Sequence, residues 1–536
     1  SVTTGDNNTA MGYLAGRVIT TGIKNTLIGT DVGTSLTIGN NNTALGYGAL
    51  NTSVDGDNNT AIGFAALLAY EDGDGNGHNT AVGASSQFAA TTGEFNTSLG
   101  SLSMGVGVVT GNLNVAIGYR AGEDLTSGGQ NTIIGSYAAY NLADGTFNTA
   151  LGYGALATSV DGDYNTAIGY LALEDYEGGD GEGHNTAIGN SSQLNATTGE
   201  FNTSLGSLSM GTGVTTGDGN VALGYGSLLN STTASNNIAI GFESMRASSE
   251  ALYNVAIGFR SLYTNVEGDS NVAIGYDALR VFNPSNGSTY NTAVGHQAGA
   301  AMTTGVKNTL IGGLAGSALT SGSNNVAIGY AALIAEDANG RNIAIGKSAL
   351  TAQNAGADAY NIAVGFEAGK AMTTGVQNTI IGGLAGDALT IGARNVAIGY
   401  GALSTEDANG KNIAIGYQSL ATQNAGNDAY NVAVGYESGW QITTGVQNVV
   451  LGGRALQANT VGADNVAIGY QALFANVDGS RSVAIGSNAL IAQEPASAVE
   501  MHNVAIGYNA GFAVTTGVRN TLIGGLAGDT ITTGNF

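Results

Sequence analysis

The stretch Asn-Val-Ala-Ile-Gly-Tyr at residues 271–276 recurs, with small variations, thirty times between Asn8 and Gly524. The distance from one leading Asn to the next is usually seventeen residues. With that Asn as position 0, Asn fills position 0 in twenty-nine copies, Ser482 being the exception, and Gly fills position 4 in all thirty. A fixed period indicates a repeat architecture in which each unit stacks on its neighbours. The sequence therefore predicts one continuous repeat region over residues 1–536.

The centre of each repeat is short, β-branched and bounded by Gly and Asn, which is typical of a strand. Seventeen residues are too few for the helix pairs of the common helical repeats, and a Gly in every unit would weaken a helix. We therefore predict an all-β, parallel β-solenoid in which each repeat is one coil of two or three short strands. At a spacing of about 4.8 Å, the thirty coils would form a rod of roughly 140 Å.

The two faces of the strand differ in size. Positions 1 and 3 are bulky, as in Val272 and Ile274, whereas positions 0, 2 and 4 are small, as in Asn271, Ala273 and Gly275. We expect the bulky face to fill the coil and the small face to pack on a neighbouring chain, because Gly and Ala permit close backbone approach. A homotrimer is the natural closed arrangement of such parallel chains. A monomer is the alternative, if the small face lies against another wall of the same coil.

Positions 8 and 11 vary together. Position 8 is Leu in fourteen coils, Leu279 among them, and Gly in ten. In all ten Gly coils position 11 is apolar, as in Met302 and Leu389, whereas in most Leu coils it is polar, as in Glu336 and Gln353. This pattern indicates that the two positions alternately fill one slot of the core and keep its volume constant.

Three further regularities carry structural expectations. The Asn at position 0 is suited to an amide ladder along the stack and to the left-handed backbone conformation. Tyr or Phe at position 5 in seventeen coils could stack bases or sugars, although lining an edge of the solenoid is the simpler interpretation. Six coils are longer than the rest, and we expect their insertions to emerge as loops where binding takes place. The extra residues fall at 68–78, 174–184, 280–290, 351–360, 421–430 and 491–502.

Composition limits the classes of partner. With 39 acidic and 15 basic residues, the net charge of −24 argues against binding to nucleic acid, which requires clustered Lys and Arg. The absence of Cys excludes thiolate metal sites. No apolar run approaches the roughly 20 residues of a membrane-spanning helix, so no membrane insertion is expected in this segment. The terminal residues 1–5 and 532–536 resemble parts of coils, which indicates a fragment of a longer chain.

One run of acidic residues is a calcium candidate. Asp72, Asp74 and Asn76 occupy the ligand positions at the start of an EF-hand loop, but Gly83 stands where the closing Glu is required. An acidic, solvated loop is the alternative interpretation. Calcium is therefore the one metal that the sequence suggests, and no other cofactor is predicted.

Catalytic chemistry has little support in the sequence. The pairs Asp55/Asp57 and Asp161/Asp163 could act as acid and base on a glycan, but their Gly-rich setting favours plain turns. The four His residues show no metal-ligand spacing, and neither a P-loop nor a nucleophile elbow is present in context. We predict no catalytic residues and a protein that is not an enzyme.

The Asn-(Thr/Val)-Ala-Ile-Gly unit, followed by Ala-Leu or Ala-Gly, resembles the head repeats of YadA-like trimeric autotransporter adhesins. It is also similar to repeats of phage tail-fibre proteins. The resemblance covers essentially all 536 residues and implies a left-handed, parallel β-roll trimer. The coil is longer here than in the adhesin heads and no heptad stalk is present, which favours the fibre branch.

These patterns predict the structural shaft of an extracellular fibre, first of all a phage tail fibre, that presents loops or a tip to a host surface. A bacterial surface adhesin or a secreted filament is the alternative, and a glycan depolymerase is a second class. Ice binding is a third class, because position 1 is often Thr, although Val and Ile replace it in many later coils. The expected location is outside the cell, on a virion or a cell-surface appendage. The expected partners are copies of the same chain and a host receptor or glycan.

Overall fold

The computed structural model describes residues 5–71, 76–178, 182–285, 287–408 and 410–535. The chain divides into two compact units, residues 1–269 and 270–536. Each unit is a parallel β-solenoid, and the two contain thirty three-residue strands, one for each repeat. Among the described residues there is no helix that is long and apolar enough to cross a membrane. The predicted all-β parallel solenoid of about thirty turns is confirmed.

The first unit contains fifteen three-residue strands and one two-residue strand at Gly268–Asp269. The three-residue strands are Thr9–Met11, Thr26–Ile28, Thr43–Leu45, Thr60–Ile62, Thr80–Val82, Thr97–Leu99, Val115–Ile117, Thr132–Ile134, Thr149–Leu151, Thr166–Ile168, Thr186–Ile188, Thr203–Leu205, Val221–Leu223, Ile238–Ile240 and Val255–Ile257.

The second unit contains another fifteen three-residue strands and one two-residue strand at Gly287–Ser288. The three-residue strands are Val272–Ile274, Thr292–Val294, Thr309–Ile311, Val326–Ile328, Ile343–Ile345, Ile362–Val364, Thr379–Ile381, Val396–Ile398, Ile413–Ile415, Val432–Val434, Val449–Leu451, Val466–Ile468, Val483–Ile485, Val504–Ile506 and Thr521–Ile523.

Strands of consecutive coils pair in parallel and in register, each residue opposite the same position of the next repeat. The register is kept across a long coil, where Thr166 pairs with Thr186 and Ile168 with Ile188. Insertions therefore leave the ladder undisturbed. Most coils contain one short strand and are otherwise built of turns. The expectation of two or three strands per coil was wrong, because the backbone bonds between coils continue through the turns without regular strand geometry.

The strand turns its small residues inward, which reverses the expectation for its two faces. Asn271 and Ala273 are fully buried, whereas Val272 and Ile274 are only half-buried. Position 2 is Ala in most strands, and a larger residue such as the fully buried Ile380 is accommodated in a coil whose position 8 is the small Gly386. The alternative in which the small face packs inside its own coil is therefore correct.

The exchange between positions 8 and 11 is confirmed, with one correction. Leu389 is buried, and a Cβ added at Gly386 would lie 2.8 Å from its Cδ1 atom, so the two positions compete for one space. Position 11 nevertheless points inward in the Leu coils as well, where Glu336 and Gln353 are fully buried. Gln353 accepts a hydrogen bond from Asn361 Nδ2 at 3.1 Å. Polar residues at this position therefore join the hydrogen bonds of the interior.

The Asn side chains form the predicted ladder and also close most coils. The exceptions are four coils in which the Asn Nδ2 has no hydrogen-bond partner among the described residues, at Asn59, Asn165, Asn342 and Asn412. Asn361 Oδ1 accepts hydrogen bonds from the backbone N–H of Asn378 at 2.9 Å and from its Nδ2 at 3.2 Å. Asn378 Nδ2 also donates to the carbonyl of Gly392, fourteen residues along the same coil, at 2.9 Å. The left-handed conformation belongs to the preceding residue, Gln377, with φ 61°. The expectation that the Asn itself adopts it was wrong.

The one exception to the Asn rule is compensated by a neighbouring side chain. The backbone N–H of Ser482 still donates to Asn465 Oδ1 at 3.0 Å, but Ser482 carries no amide to continue the ladder. Gln493 supplies one: its Nε2 donates to Ser482 Oγ at 3.0 Å, and its Oε1 accepts from Asn503 Nδ2 at 2.9 Å. The interior hydrogen bonds thus continue through this coil.

The Gly at position 4 is required by the distance between coils. At Gly275 and Gly382 φ is 136° and 137°, a conformation that only Gly adopts readily. A Cβ added at Gly382 would lie 2.5 Å from the carbonyl oxygen of Gly399 in the next coil. Both constraints recur in successive coils, which accounts for Gly at every copy of this position.

We predict that Gly382→Ala is much more destabilising than Gly356→Ala. Gly356 also has a positive φ of 68°, but a Cβ there would have nothing within 4 Å, so only the backbone cost of about 1–2 kcal/mol applies. At Gly382 a clash with the backbone is added, for a total above about 3 kcal/mol. Native-state hydrogen exchange of the flanking coils measures the difference. Equal effects of the two substitutions would contradict the role given to coil spacing.

We also predict that Asn378→Ala lowers the local stability by about 2–4 kcal/mol, because two buried backbone groups lose their partner. These groups are the carbonyl of Gly392 and the N–H of Asn395, which donates to Asn378 Oδ1 at 2.9 Å. The readout is the exchange rate of the Asn395 amide. Asn354→Ala, at an exposed site, is the control and is expected to leave that rate unchanged. An unaltered rate in Asn378→Ala would refute the ladder as a source of stability.

Candidate functional site

The calcium candidate lies mostly outside the described residues. Asp72 and Asp74 belong to the part of the chain that is not described, and Asn76 is exposed. Within the described ranges, no group of three or more His, Asp or Glu side chains could hold a metal ion. Calcium binding at 72–77 stays a prediction from the sequence.

The acidic pairs take part in turns. Asp57 Oδ1 accepts from the backbone N–H of Asn40 at 2.5 Å and from its Nδ2 at 3.1 Å. Asp163 Oδ1 likewise accepts from the backbone N–H of Thr146 at 2.6 Å and from its Oγ1 at 3.0 Å. Each carboxylate therefore caps the turn of the preceding coil, as the turn interpretation predicted for these two residues.

The four histidines lie apart and serve in ring contacts or an ion pair. His184 is stacked between Tyr164 and Phe201, with ring centroids 4.7 and 5.1 Å away. His78 stacks on Phe95 and His296 on Tyr276. His502 Nε2 lies 3.1 Å from a carboxylate oxygen of Glu500.

Exposed aromatic side chains form two columns, one on each side of the strand. The expected column at position 5 contains stacks such as Tyr153 on Tyr170, with centroids 5.5 Å apart. The second column, at the residue before each Asn, includes Phe147 and Tyr164 at 4.9 Å. This second column was not predicted, although aromatic residues directly before the Asn are present in the sequence. At these spacings each ring covers its neighbour, so no base or sugar fits between them.

Three of the six insertions bring acidic residues onto basic ones in the preceding coil, and in 491–502 this pair is Glu500 with Arg481. In the insertion 421–430, Asp428 lies 2.5 Å from Lys411 Nζ, and that hydrogen bond holds the pKa of Asp428 below its usual range. In 351–360, Asp358 lies 2.6 Å from Arg341. Exposed pairs of this kind contribute little to stability. Binding by the insertions remains a prediction.

The outward face of the strands is the most extensive candidate site. None of the thirty three-residue strands contains a charged residue, although the chain carries a net charge of −24. Their bulky side chains at positions 1 and 3 are 36–49% exposed at twelve places. In residues 1–269 these are Leu45, Leu99, Leu151, Leu205, Leu223 and Ile238, and in residues 270–536 Ile311, Ile362, Ile381, Ile413, Val449 and Leu451. We call this surface the outer strand face. Position 1 is Thr in fifteen of the thirty strands, and position 3 is apolar in all of them. Exposed rows of large apolar side chains mark interaction sites.

A buried carboxyl group lies in the interior of the second unit. Glu336 is fully buried at position 11, and its Oε1 accepts from the backbone N–H of Asn339 at 3.3 Å. Its Oε2 has no hydrogen-bond partner among the described residues. Burial raises the pKa of Glu336, because the charged form is poorly solvated there.

We predict that Glu336→Gln stabilises the protein at pH 7. Since the folded pKa is raised above the unfolded value of about 4.3, the wild type is most stable below that pH and loses stability as the pH rises through the folded pKa. A neutral amide, as at Gln353, removes this loss. When unfolding is measured from pH 4 to pH 8, the free energy of unfolding of the variant should increase relative to that of the wild type as the pH rises.

The exposed Glu494 provides the control, and Glu494→Gln is expected to have the same free energy of unfolding as the wild type at every pH. A Glu336→Gln variant with the same pH profile as the wild type would show that the carboxyl group is as well solvated in the folded protein as in the unfolded chain.

A comparison with models of known protein families finds no match for this chain. A comparison with curated proteins likewise finds no similar sequence. The resemblance to adhesin and tail-fibre repeats therefore remains a prediction from the repeat motif, and the functional argument depends on the geometry of the solenoid.

Proposed function

We propose that this chain is the structural shaft of an extracellular fibre and that it assembles as a homotrimer through the outer strand face. The observation that carries the proposal is the uncharged apolar face exposed on a chain with a net charge of −24. Burying that face between chains would remove apolar area from water, which is the main driving force of association. The acidic residues lie outside the three-residue strands, where they keep assembled fibres apart in solution.

A parallel trimer suits the repetition of this surface. Within each unit, the coils offer one short strand at the same place, so three copies of that unit in one register present matching faces to an axis between them. Large apolar side chains would fill these axes, such as Leu151 in the first unit and Leu451 in the second. This interface differs from the small face that the sequence suggested, because Asn271 and Ala273 are buried inside their own coil.

Among fibres, the repeat motif favours a phage tail fibre with a left-handed winding, and a bacterial surface adhesin or secreted filament is the alternative. Each location is extracellular and requires attachment to a surface receptor. The support is the resemblance of the Asn-(Thr/Val)-Ala-Ile-Gly unit, together with a solenoid in which Asp57, Asp163 and the histidines serve structural contacts.

The assembly is tested by the mass of the protein in solution. We expect a species of three times the 53.3 kDa of one chain. The double substitution Leu151→Asp with Leu451→Asp should yield monomers, because charges would be buried at the axis. Sedimentation equilibrium measures both.

Val160→Asp with Val461→Asp is the matched control. These valines are 44% and 42% exposed, close to the 42% and 46% of Leu151 and Leu451, but they lie outside the strands. The control should remain trimeric. A stable monomeric wild type, or dissociation by the control as well, would overturn the proposed interface.

A further inference from the structure

The aromatic column at position 5 is interrupted in the first unit. Ser136 stands where neighbouring coils have Tyr119 and Tyr153. The ring of Tyr137 fills the gap, 5.4 Å from Tyr119 at an interplanar angle of 87° and 5.8 Å from Tyr153 at 63°. By contrast, Tyr153 and Tyr170 are nearly parallel at 13°. The ring of Tyr137 is therefore turned out of the stack and does not lie flat on either neighbour.

Beside this break is a surface notch of about 220 Å³. A Cβ added at Gly154 would lie 2.6 Å from Leu171 Cδ2, so this lining position is open only because it is Gly. The tyrosine rings form an angled wall, with Tyr140 5.7 Å from Tyr137 at 54°. We call this space the tyrosine notch, and it is lined by Tyr137, Tyr140, Asn141, Tyr153, Gly154, Ala157, Thr158, Leu171 and Glu174.

The polar groups of the notch have unused hydrogen-bonding capacity. Neither the carboxylate of Glu174 nor the side-chain amide of Asn141 forms a hydrogen bond with a described residue. Thr158 Oγ1 donates to the carbonyl of Glu174 at 2.7 Å, which leaves its own lone pairs available. Burial, together with the neighbouring Asp175, raises the pKa of Glu174. A ligand with hydroxyl groups would satisfy these groups.

We propose that the tyrosine notch binds one neutral pyranose unit of a glycan. A pyranose has an apolar C–H face that packs on an aromatic ring, and hydroxyl groups at its edge. Adjacent hydroxyls would donate to the Glu174 carboxylate, and another would bond to the Asn141 amide. A volume of 220 Å³ suits one ring and is small for a larger ligand.

Charge selects among sugars. Glu174 and Asp175, on a chain with a net charge of −24, repel carboxylated or sulfated sugars. A quaternary ammonium group would also suit tyrosine rings beside a carboxylate. Such a cation would leave the Asn141 amide without a partner and the lone pairs of Thr158 Oγ1 unused, so the neutral sugar fits the complete set of lining groups better.

The first unit contains another copy of part of this sequence, because segment 42–121 is repeated at 148–227. This copy serves as an internal comparison for the tyrosine notch. There Gly48 corresponds to Gly154, and Tyr47 stacks on Phe64 at 5.5 Å and 10°, like Tyr153 on Tyr170. The surrounding residues differ: Asp31, Thr34 and Leu68 stand in place of Tyr137, Tyr140 and Glu174. The place in this copy that corresponds to the tyrosine notch thus lacks the aromatic wall and the carboxylate.

Sugar binding by the notch would let the proposed fibre attach to a glycan receptor, and this biological role rests on the proposed function. Binding is measured on the full chain by saturation-transfer NMR. The probes are the methyl α-pyranosides of glucose, galactose and mannose, together with N-acetylneuraminic acid and choline. We expect saturable binding of at least one neutral pyranoside and none of the acidic sugar.

Tyr140→Ala and Glu174→Gln should each weaken that binding at least about tenfold. Tyr47→Ala removes the ring that corresponds to Tyr153 in the other copy of the sequence, and it should leave sugar binding unchanged. Absence of binding by all three neutral pyranosides would overturn the proposal, as would preference for choline or equal weakening by Tyr47→Ala. Sedimentation of each variant checks assembly separately, so failure of the trimer and failure of the sugar site are distinguishable.

Discussion

The hydrogen bonds of one Asn side chain per coil are the constraint on which the rest of the solenoid depends. A single amide closes its own coil by donating to a carbonyl fourteen residues away, and it accepts the backbone N–H of the next coil, as Asn378 shows. Both groups are buried, so the amide must point inward. Side chains alternate along a strand, and Ala at position 2 therefore points inward too, while Ile at position 3 points outward.

The inward Asn and Ala account for the unusual surface of the protein. The interior of a coil holds few large side chains: the fully buried Leu279 and Phe282 share one coil, and Ile380 and Leu389 share another. The bulky apolar residues at positions 1 and 3 of the strand lie on the opposite face, toward the outside. Their exposure would be unfavourable for an isolated chain, and an association that covers them is the physical solution that we propose.

Departures from the repeat show which features are required for folding and which are free to vary. At Ser482 the missing amide is replaced by Gln493, so the interior hydrogen bonds are kept. At Ser136 the missing ring is replaced by Tyr137 in a different orientation, and the surface becomes concave instead of flat. A regular scaffold that tolerates changes on its outer side can acquire a binding site without loss of the fold.

The sequence by itself determined the parallel solenoid, the strand at the start of each repeat, the Asn ladder and the inverse exchange between positions 8 and 11. These features follow from period, residue size and hydrogen-bonding capacity, which can be seen in a single chain. Only the tertiary structure decided which strand face is buried, because alternation defines two faces without saying which one is inside. The structure places the Asn271 amide inside the coil, and Ala273 lies on the same face because side chains two residues apart point the same way. The tyrosine notch also required the structure, because Tyr137, Gly154 and Glu174 come from three successive coils and meet only when those coils are stacked.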